Sequence, residues 1–298
     1  MTTPKMHERE VHIDNHLVRR LIADQCPQWA DLPARHASSS GTDNAMFRLG
    51  DAMVVRLPRI DWAAASVAHE QTWLPIIGPA IPVPTPTPLA MGKPAFGYPW
   101  HWSVYTWLDG ANLTLEDLNE EVVRDIASCL NAVHAIDVPD GPVNRRGFTF
   151  HGRDTETRTS IAAMEGMVQT DAVTAVWDAA FELAPCEPPG TWIHSDTARG
   201  NLLVRDGRLC GLIDFSGVGR GDPAVDLGLA WNLLPAALRP TFRAALDVDD
   251  ATWLRGRAWA LSQACLQLPY YKDTNKPLAA EARYVIREVL ADFAVRRS

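Results

Sequence analysis

Residues 191–226, TWIHSDTARGNLLVRDGRLCGLIDFSGVGRGDPAVD, constrain this chain more than any other stretch. They read as strand, loop, strand, turn, strand, loop. Trp192 and Ile193 enter a polar loop that holds Asp196 and Asn201. Residues 202–204 form a short apolar strand and residues 209–213 its return. Asp206-Gly207 between them is a favoured two-residue hairpin turn, because both of its central positions need φ > 0. The hairpin delivers Asp214, so Asp196, Asn201 and Asp214 are expected to converge at one of its ends. A carboxylate beside two oxygen ligands suits hydroxyl activation next to a hard divalent ion, and magnesium in turn suits a nucleoside triphosphate.

Asp196 and Asn201 stand as D-x-x-x-x-N, and Asp214-Phe215 comes after them, the spacing of a kinase catalytic loop and its metal-binding pair. The chain carries His194-Ser195-Asp196, Asn201, Ile213-Asp214-Phe215-Ser216 and Gly221-Asp222-Pro223-Ala224-Val225-Asp226-Leu227. In these it resembles the aminoglycoside phosphotransferase-like family of small-molecule kinases, whose pattern runs H-G-D-x-x-x-x-N, I-D-F-G, G-D-P-x-x-D-L. The resemblance extends from about residue 38 to the C-terminus. It implies an α+β, two-lobed protein-kinase-like fold. Residues 1–108 would form a small β-rich nucleotide-binding lobe with a leading helix, and residues 109–298 a larger helical catalytic and substrate-binding lobe. It also implies transfer of the γ-phosphoryl group of ATP or GTP, with Mg2+, to a hydroxyl of a small molecule, an antibiotic or a metabolite. Asp196 would orient that hydroxyl and accept its proton; Asn201 and Asp214 would hold the metal. Asp226 is expected to cap backbone donors of the loop, His194 to brace it, and Asp222 to cap a turn.

Three departures from the pattern stand out. Ser195 replaces the glycine between His and Asp, Ser216 the glycine after Asp214-Phe215, and Thr197-Ala198-Arg199 the usual Leu-His-Pro. Ala198 occupies the slot where kinases carry a lysine, so Arg199 or Arg220 would have to supply a cation there. A catalytically weak or inactive nucleotide-binding relative is the alternative function. A serine hydrolase built on Ser195 lacks the G-x-S-x-G elbow, and its neighbours His194 and Asp196 do not easily face one hydroxyl together.

Upstream, residues 1 to about 35 read as one helix closed by Pro27 and Pro33. Residues 45–49 and 53–57 are two strands around Gly50-Asp51. Ser38 to Gly41 precede them and either lie over phosphates, with Gly41 as the close-approach residue, or form a plain surface turn. By resemblance Arg56, on the second strand, touches the α- and β-phosphates; Val55 and Leu57 point to the opposite face. Residues 61–77 are a helix with Asp61 as N-cap and Pro75 ending it, and Glu70 on it is the candidate ion-pair partner of Arg56. Alternating prolines make residues 81–88 an extended connector. Residues 102–108 are an aromatic, β-branched strand; by resemblance the backbone of Thr106 and Leu108 pairs with the purine and Tyr105 lines its pocket.

Downstream, residues 114–136 read as a long helix opened by Thr114 and Asp117. Residues 137–160 read as loop and 161–183 as helix. The chain after Asp226 is expected to be helical, with an interruption at Pro269-Tyr270-Tyr271.

The 298 residues are enough for two lobes with real cores. A net charge of −8 argues against a nucleic-acid partner. The five cysteines are scattered and form no C-x-x-C, so neither a disulfide framework nor a zinc site is expected. No apolar run spans a bilayer and the N-terminus has no signal-peptide core, so a cytoplasmic location is expected and no membrane partner. The partners expected are a nucleoside triphosphate and a small hydroxylated substrate. Residues 109–187 are rich in acids, opposed by Arg145, Arg146 and Arg153, which favours a neutral or weakly charged acceptor over a polycation.

Overall fold

The computed structural model describes residues 10–37, 43–144 and 151–295. Along them run α1 (Asn15–Gln25), β1 (Ala34–His36), β2 (Asn44–Leu49), β3 (Met53–Pro58), α2 (Asp61–Ile77), β4 (Pro88–Gly92), β5 (Trp102–Thr106), β6 (Ala111–Asn112) and α3 (Glu120–His134). Then come α4 (Asp154–Ala162), α5 (Thr170–Phe181), β7 (Thr191–Ile193), β8 (Leu202–Arg205), β9 (Arg208–Leu212), β10 (Gly219–Gly221), α6 (Ala224–Leu227) and α7 (Leu229–Asn232). The chain closes with α8 (Arg239–Ala245), α9 (Asp250–Tyr271) and α10 (Lys276–Val295). Strands dominate early and helices late, an α+β chain. No helix among the described residues is long and apolar enough to cross a membrane.

The chain divides into two compact units. One holds residues 1–113, 200–205 and 209–216; the other holds 114–199, 206–208 and 217–298.

In the first unit β1-β2-β3-β5-β4 form an antiparallel sheet. Strand periodicity sorts its faces. Phe47, Leu49, Val55, Leu57, Trp102 and Val104 join Val18, Leu21 and Ile22 of α1 in a dry core. Asp14 caps α1 by accepting from Leu17 N at 2.8 Å. Residues 1–9 lie outside the described residues; from residue 10 to 36 the single helix expected is replaced by α1, a short turn and β1, whose partners lie in β2. Val54, Arg56, Ser103 and Tyr105 alternate onto the other face. Gln71 of α2 donates to Ser103 Oγ (3.0 Å) and Ala90 O (3.1 Å), which fixes α2, and with it the adjacent Glu70, over that face.

In the same unit β6 pairs with β8, and Ile213 N donates to Asn201 O at 3.0 Å. At the tip of the β8–β9 hairpin Asp206 and Gly207 have φ of 53° and 72°, the left-handed pair that the turn requires.

In the second unit α9 is buried on nearly every side and α3 along one stripe: Val122, Ile126, Leu130 and Val133. α3 begins later than expected. Thr114 N and Oγ1 do bond Asp117 (2.8 and 2.6 Å), but that is a turn; the cap is Asn119, which accepts from Val122 N at 2.9 Å. α4 starts within the stretch read as loop. The apolar run after Asp226 splits at Gly228 into α6 and α7. Pro269 does not break α9: it removes the N–H that would bond Cys265 O, yet the helix runs on to Tyr271 and Lys272 N closes on Leu268 O at 3.0 Å.

Candidate active site

The first unit holds a cavity of about 210 Å³ on the polar face of its sheet. Met46, Val54, Leu74, Leu203 and Ile213 give it apolar walls; Arg56, Glu70, Asn201 and Asp214 give it charge and oxygen donors. Tyr105, Thr106 and Leu108 line it as well. These last two sets, all singled out from sequence alone, are thus gathered around one space. Asp196 lies in the other unit, and Gly41 lies outside the described residues.

Arg56 is the hub. Its Nη1 donates to Glu70 Oε2 at 2.5 Å and its Nη2 to Asp214 Oδ1 at 3.3 Å. Asn44, in the amide orientation dictated by its surroundings, accepts from Nη2 (3.1 Å) and Nε (3.2 Å). Burial would favour a neutral guanidinium, but Glu70 and Asp214 outweigh it and hold the pKa of Arg56 above its ordinary value. Tyr105 Oη donates to the same Glu70 oxygen at 2.8 Å, and burial first, then the Glu70 charge, push its pKa up. Asn44 was missed from sequence: its partner Arg56 is reached only through the β2–β3 register.

Thr106 N donates to Thr87 O at 3.0 Å and Trp107 N to Ala52 O at 2.8 Å, so both amides serve the fold. Asp214 sits at φ 64°, a left-handed value rare for a side chain with Cβ, and Ser216 N leans on its Oδ1 at 3.4 Å.

The second unit carries the loop with Asp196. β7 pairs with β10, and Asp226, 2% exposed, organises the loop that leaves β7. Its carboxylate accepts from His194 N (2.9 Å), Ser195 N (2.7 Å) and Thr197 Oγ1 (3.4 Å). His134 Nε2, at the end of α3, lies 3.1 Å from the same carboxylate. Burial alone would raise the pKa of Asp226; the bonds from His134 and His194 overcome it and leave it below the ordinary value. Asp196 N lies 3.4 Å from His194 Nδ1. Asp222 caps Ala224 N at 3.0 Å and forms a buried two-point ion pair with Arg255 (2.8 and 3.0 Å). His134 and Arg255 were not singled out from sequence, since each meets its carboxylate across a long stretch of chain. Arg220, considered as a supplementary cation, instead donates to Pro139 O and Gly190 O (2.9 and 2.8 Å). Arg199 is exposed.

The chain is 33% identical over 122 residues to an aminoglycoside 3'-phosphotransferase of Escherichia coli, covering 38% of this chain and 43% of that protein. It spans less than half the length of the curated relatives it matches. Among solved structures, the GDP complex of aminoglycoside 2'-phosphotransferase-IIIa superposes with a TM-score of 0.73 at 17% identity, over 94% of this chain and 99% of that one. A macrolide 2'-phosphotransferase from Brachybacterium faecium gives 0.58 at 20% identity, over 87% and 91%. At these identities the likeness is one of fold. The model of the phosphotransferase enzyme family matches residues 36–259, three quarters of the chain. The chain belongs to the phosphotransferase enzyme family.

Proposed function

We propose that this protein transfers the γ-phosphoryl group of ATP or GTP to a hydroxyl of a small molecule. The observation that carries the reading is the first unit's cavity, where apolar walls stand beside a buried guanidinium clamped by Glu70 and Asp214. A purine wants the former and a polyphosphate the latter. The division of labour we propose gives the nucleotide to residues 1–108 together with Asn201 and Asp214, which line the same cavity, and catalysis and acceptor to the rest of 109–298. Solved relatives were captured with GDP or ADP, which supports a nucleotide donor.

The donors fit magnesium. Asn201 and Asp214, which carry hard oxygens, both line one cavity. Among the described residues no three His, Cys, Asp or Glu side chains gather as a metal cluster. An ion that keeps waters and takes phosphate oxygens needs no protein cage. Bound there, magnesium would neutralise charge on the phosphates. Asp196 would orient the acceptor hydroxyl and take its proton, and Arg56 would hold phosphate oxygens.

The acceptor we favour is neutral or weakly charged, with a polycationic aminoglycoside as runner-up. Several acids of the second unit are already matched: Arg158 pairs with Asp154 and Asp178 (2.7 Å each), Arg208 with Asp125 (2.6 Å), and Arg124 with Glu120 and Glu121. The test is ADP or GDP release with Mg-ATP and Mg-GTP over a panel of aminoglycosides, macrolides and simple alcohols. Acceptor-dependent release supports transfer; nucleotide binding without transfer to any acceptor would point to the inactive alternative.

A further inference from the structure

Ser195 stands where the family pattern has glycine, and it keeps a glycine-like backbone, φ 67°. A side chain in that region is strained, so something must hold it there. Two bonds do. Ser195 N donates to Asp226 Oδ1 at 2.7 Å, and Ser195 Oγ donates to Gly217 O at 2.9 Å. Gly217 O also accepts from Asn144 Nδ2. All four residues belong to the second unit; Ser195 and Asn144 are 7% and 5% exposed, and the bonds to the Gly217 carbonyl are part-buried.

The fit is reciprocal. A Cβ at Gly217 would come within 2.5 Å of Ser195 Oγ, whereas its next neighbours, His194 O and Ser195 Cβ, would lie at 3.8 and 3.9 Å. Gly217 does not have a left-handed φ. Its lack of a side chain is needed for the serine hydroxyl, not for the backbone. The glycine that is absent at 195 is thus matched by one at 217, three positions after Asp214.

We propose that Ser195 is a positioning residue: its hydroxyl latches the loop that carries Asp196 to the carbonyl of Gly217 and holds Asp196 in its working orientation. The inference rests on the reading of Asp196 as the base.

The test separates latch from fold. Ser195→Gly removes the hydroxyl and the backbone strain together, so a merely structural serine predicts an unchanged or higher Tm and unchanged turnover. The latch predicts that Tm holds while kcat for Mg-nucleotide turnover, onto water or a confirmed acceptor, falls about five- to tenfold, the worth of one hydrogen bond. Nucleotide KM should stay put. Gly217→Ala should lower kcat in the wild-type background and much less in the Ser195→Gly background, where its Cβ has room. Backbone amide exchange in residues 194–198 should quicken in both Ser195→Gly and Ser195→Ala; this arm needs no turnover. Wild-type kcat in Ser195→Gly, or unchanged exchange in both variants, overturns the latch. Asp196→Asn is run alongside: if it keeps full turnover the base reading fails, and the exchange arm still decides whether the latch exists.

Discussion

Arg56 and Glu70 meet at 2.5 Å inside the first unit, with side chains 10% and 3% exposed. A pair that dry is costly to halve. Removing one partner of a buried ion pair typically costs about 3–5 kcal/mol. Asp214 and Asn44 also hold Arg56, so the low end is expected for Glu70→Ala. Denaturant unfolding should show about 3 kcal/mol lost, with nucleotide affinity falling as Arg56 turns towards Asp214. A loss below about 1 kcal/mol, the range of an exposed pair, would mean that the pair is not an energetic hub.

Asp214→Ala should weaken nucleotide binding chiefly in the presence of magnesium, since it removes the carboxylate proposed as a hard oxygen ligand. Titration calorimetry with and without the ion makes the comparison. If wild type and variant gain equally from magnesium, Asp214 does not hold it.

Asp226 sets a pH dependence. Its folded pKa lies below the ordinary carboxylate value, 3.8. It therefore contributes stability above that value and loses it as the pH falls through the depressed folded one. The stability deficit of Asp226→Asn, read by denaturant unfolding, should not shrink between about pH 7 and 5 and should shrink once the pH falls below the ordinary carboxylate range. A deficit that already shrinks near neutrality would contradict the bond pattern around the carboxylate.

How much of the fold and site was legible in the sequence depends on how local each signal is. Asp206-Gly207 announces its turn because two adjacent residues must both adopt φ > 0, and they do. Arg56 and Glu70 could be paired because strand and helix follow one another directly. β1 and β10 went unseen because three residues carry no period. Thr114 with Asp117 three residues on has the pattern of a cap, but the two close a turn, and the cap of α3 is Asn119, which the same local pattern did not mark. Pro269 reads as a breaker, but it costs α9 one backbone bond near its end, too little to stop a helix buried on nearly every side. His134 and Arg255 have carboxylate partners 92 and 33 residues away, and no window on the sequence reports such a distance. Ser195 was visible as a departure; its partner Gly217 was not.

The acceptor's charge can be read from salt. With nucleotide saturating, KM for a confirmed acceptor should change little between low and high ionic strength if the molecule is neutral. A polycation held by carboxylates would lose affinity steeply as screening shortens to about 8–10 Å, and that outcome would replace the neutral acceptor with the runner-up.

The most direct test of phosphoryl transfer by this site is Asp196→Asn on a confirmed acceptor. The substitution keeps the shape and removes the carboxylate proposed to accept the proton. Turnover should fall roughly 10²–10⁴-fold, the usual worth of general-base assistance, while nucleotide Kd barely moves. Near-native turnover in the variant would contradict the account.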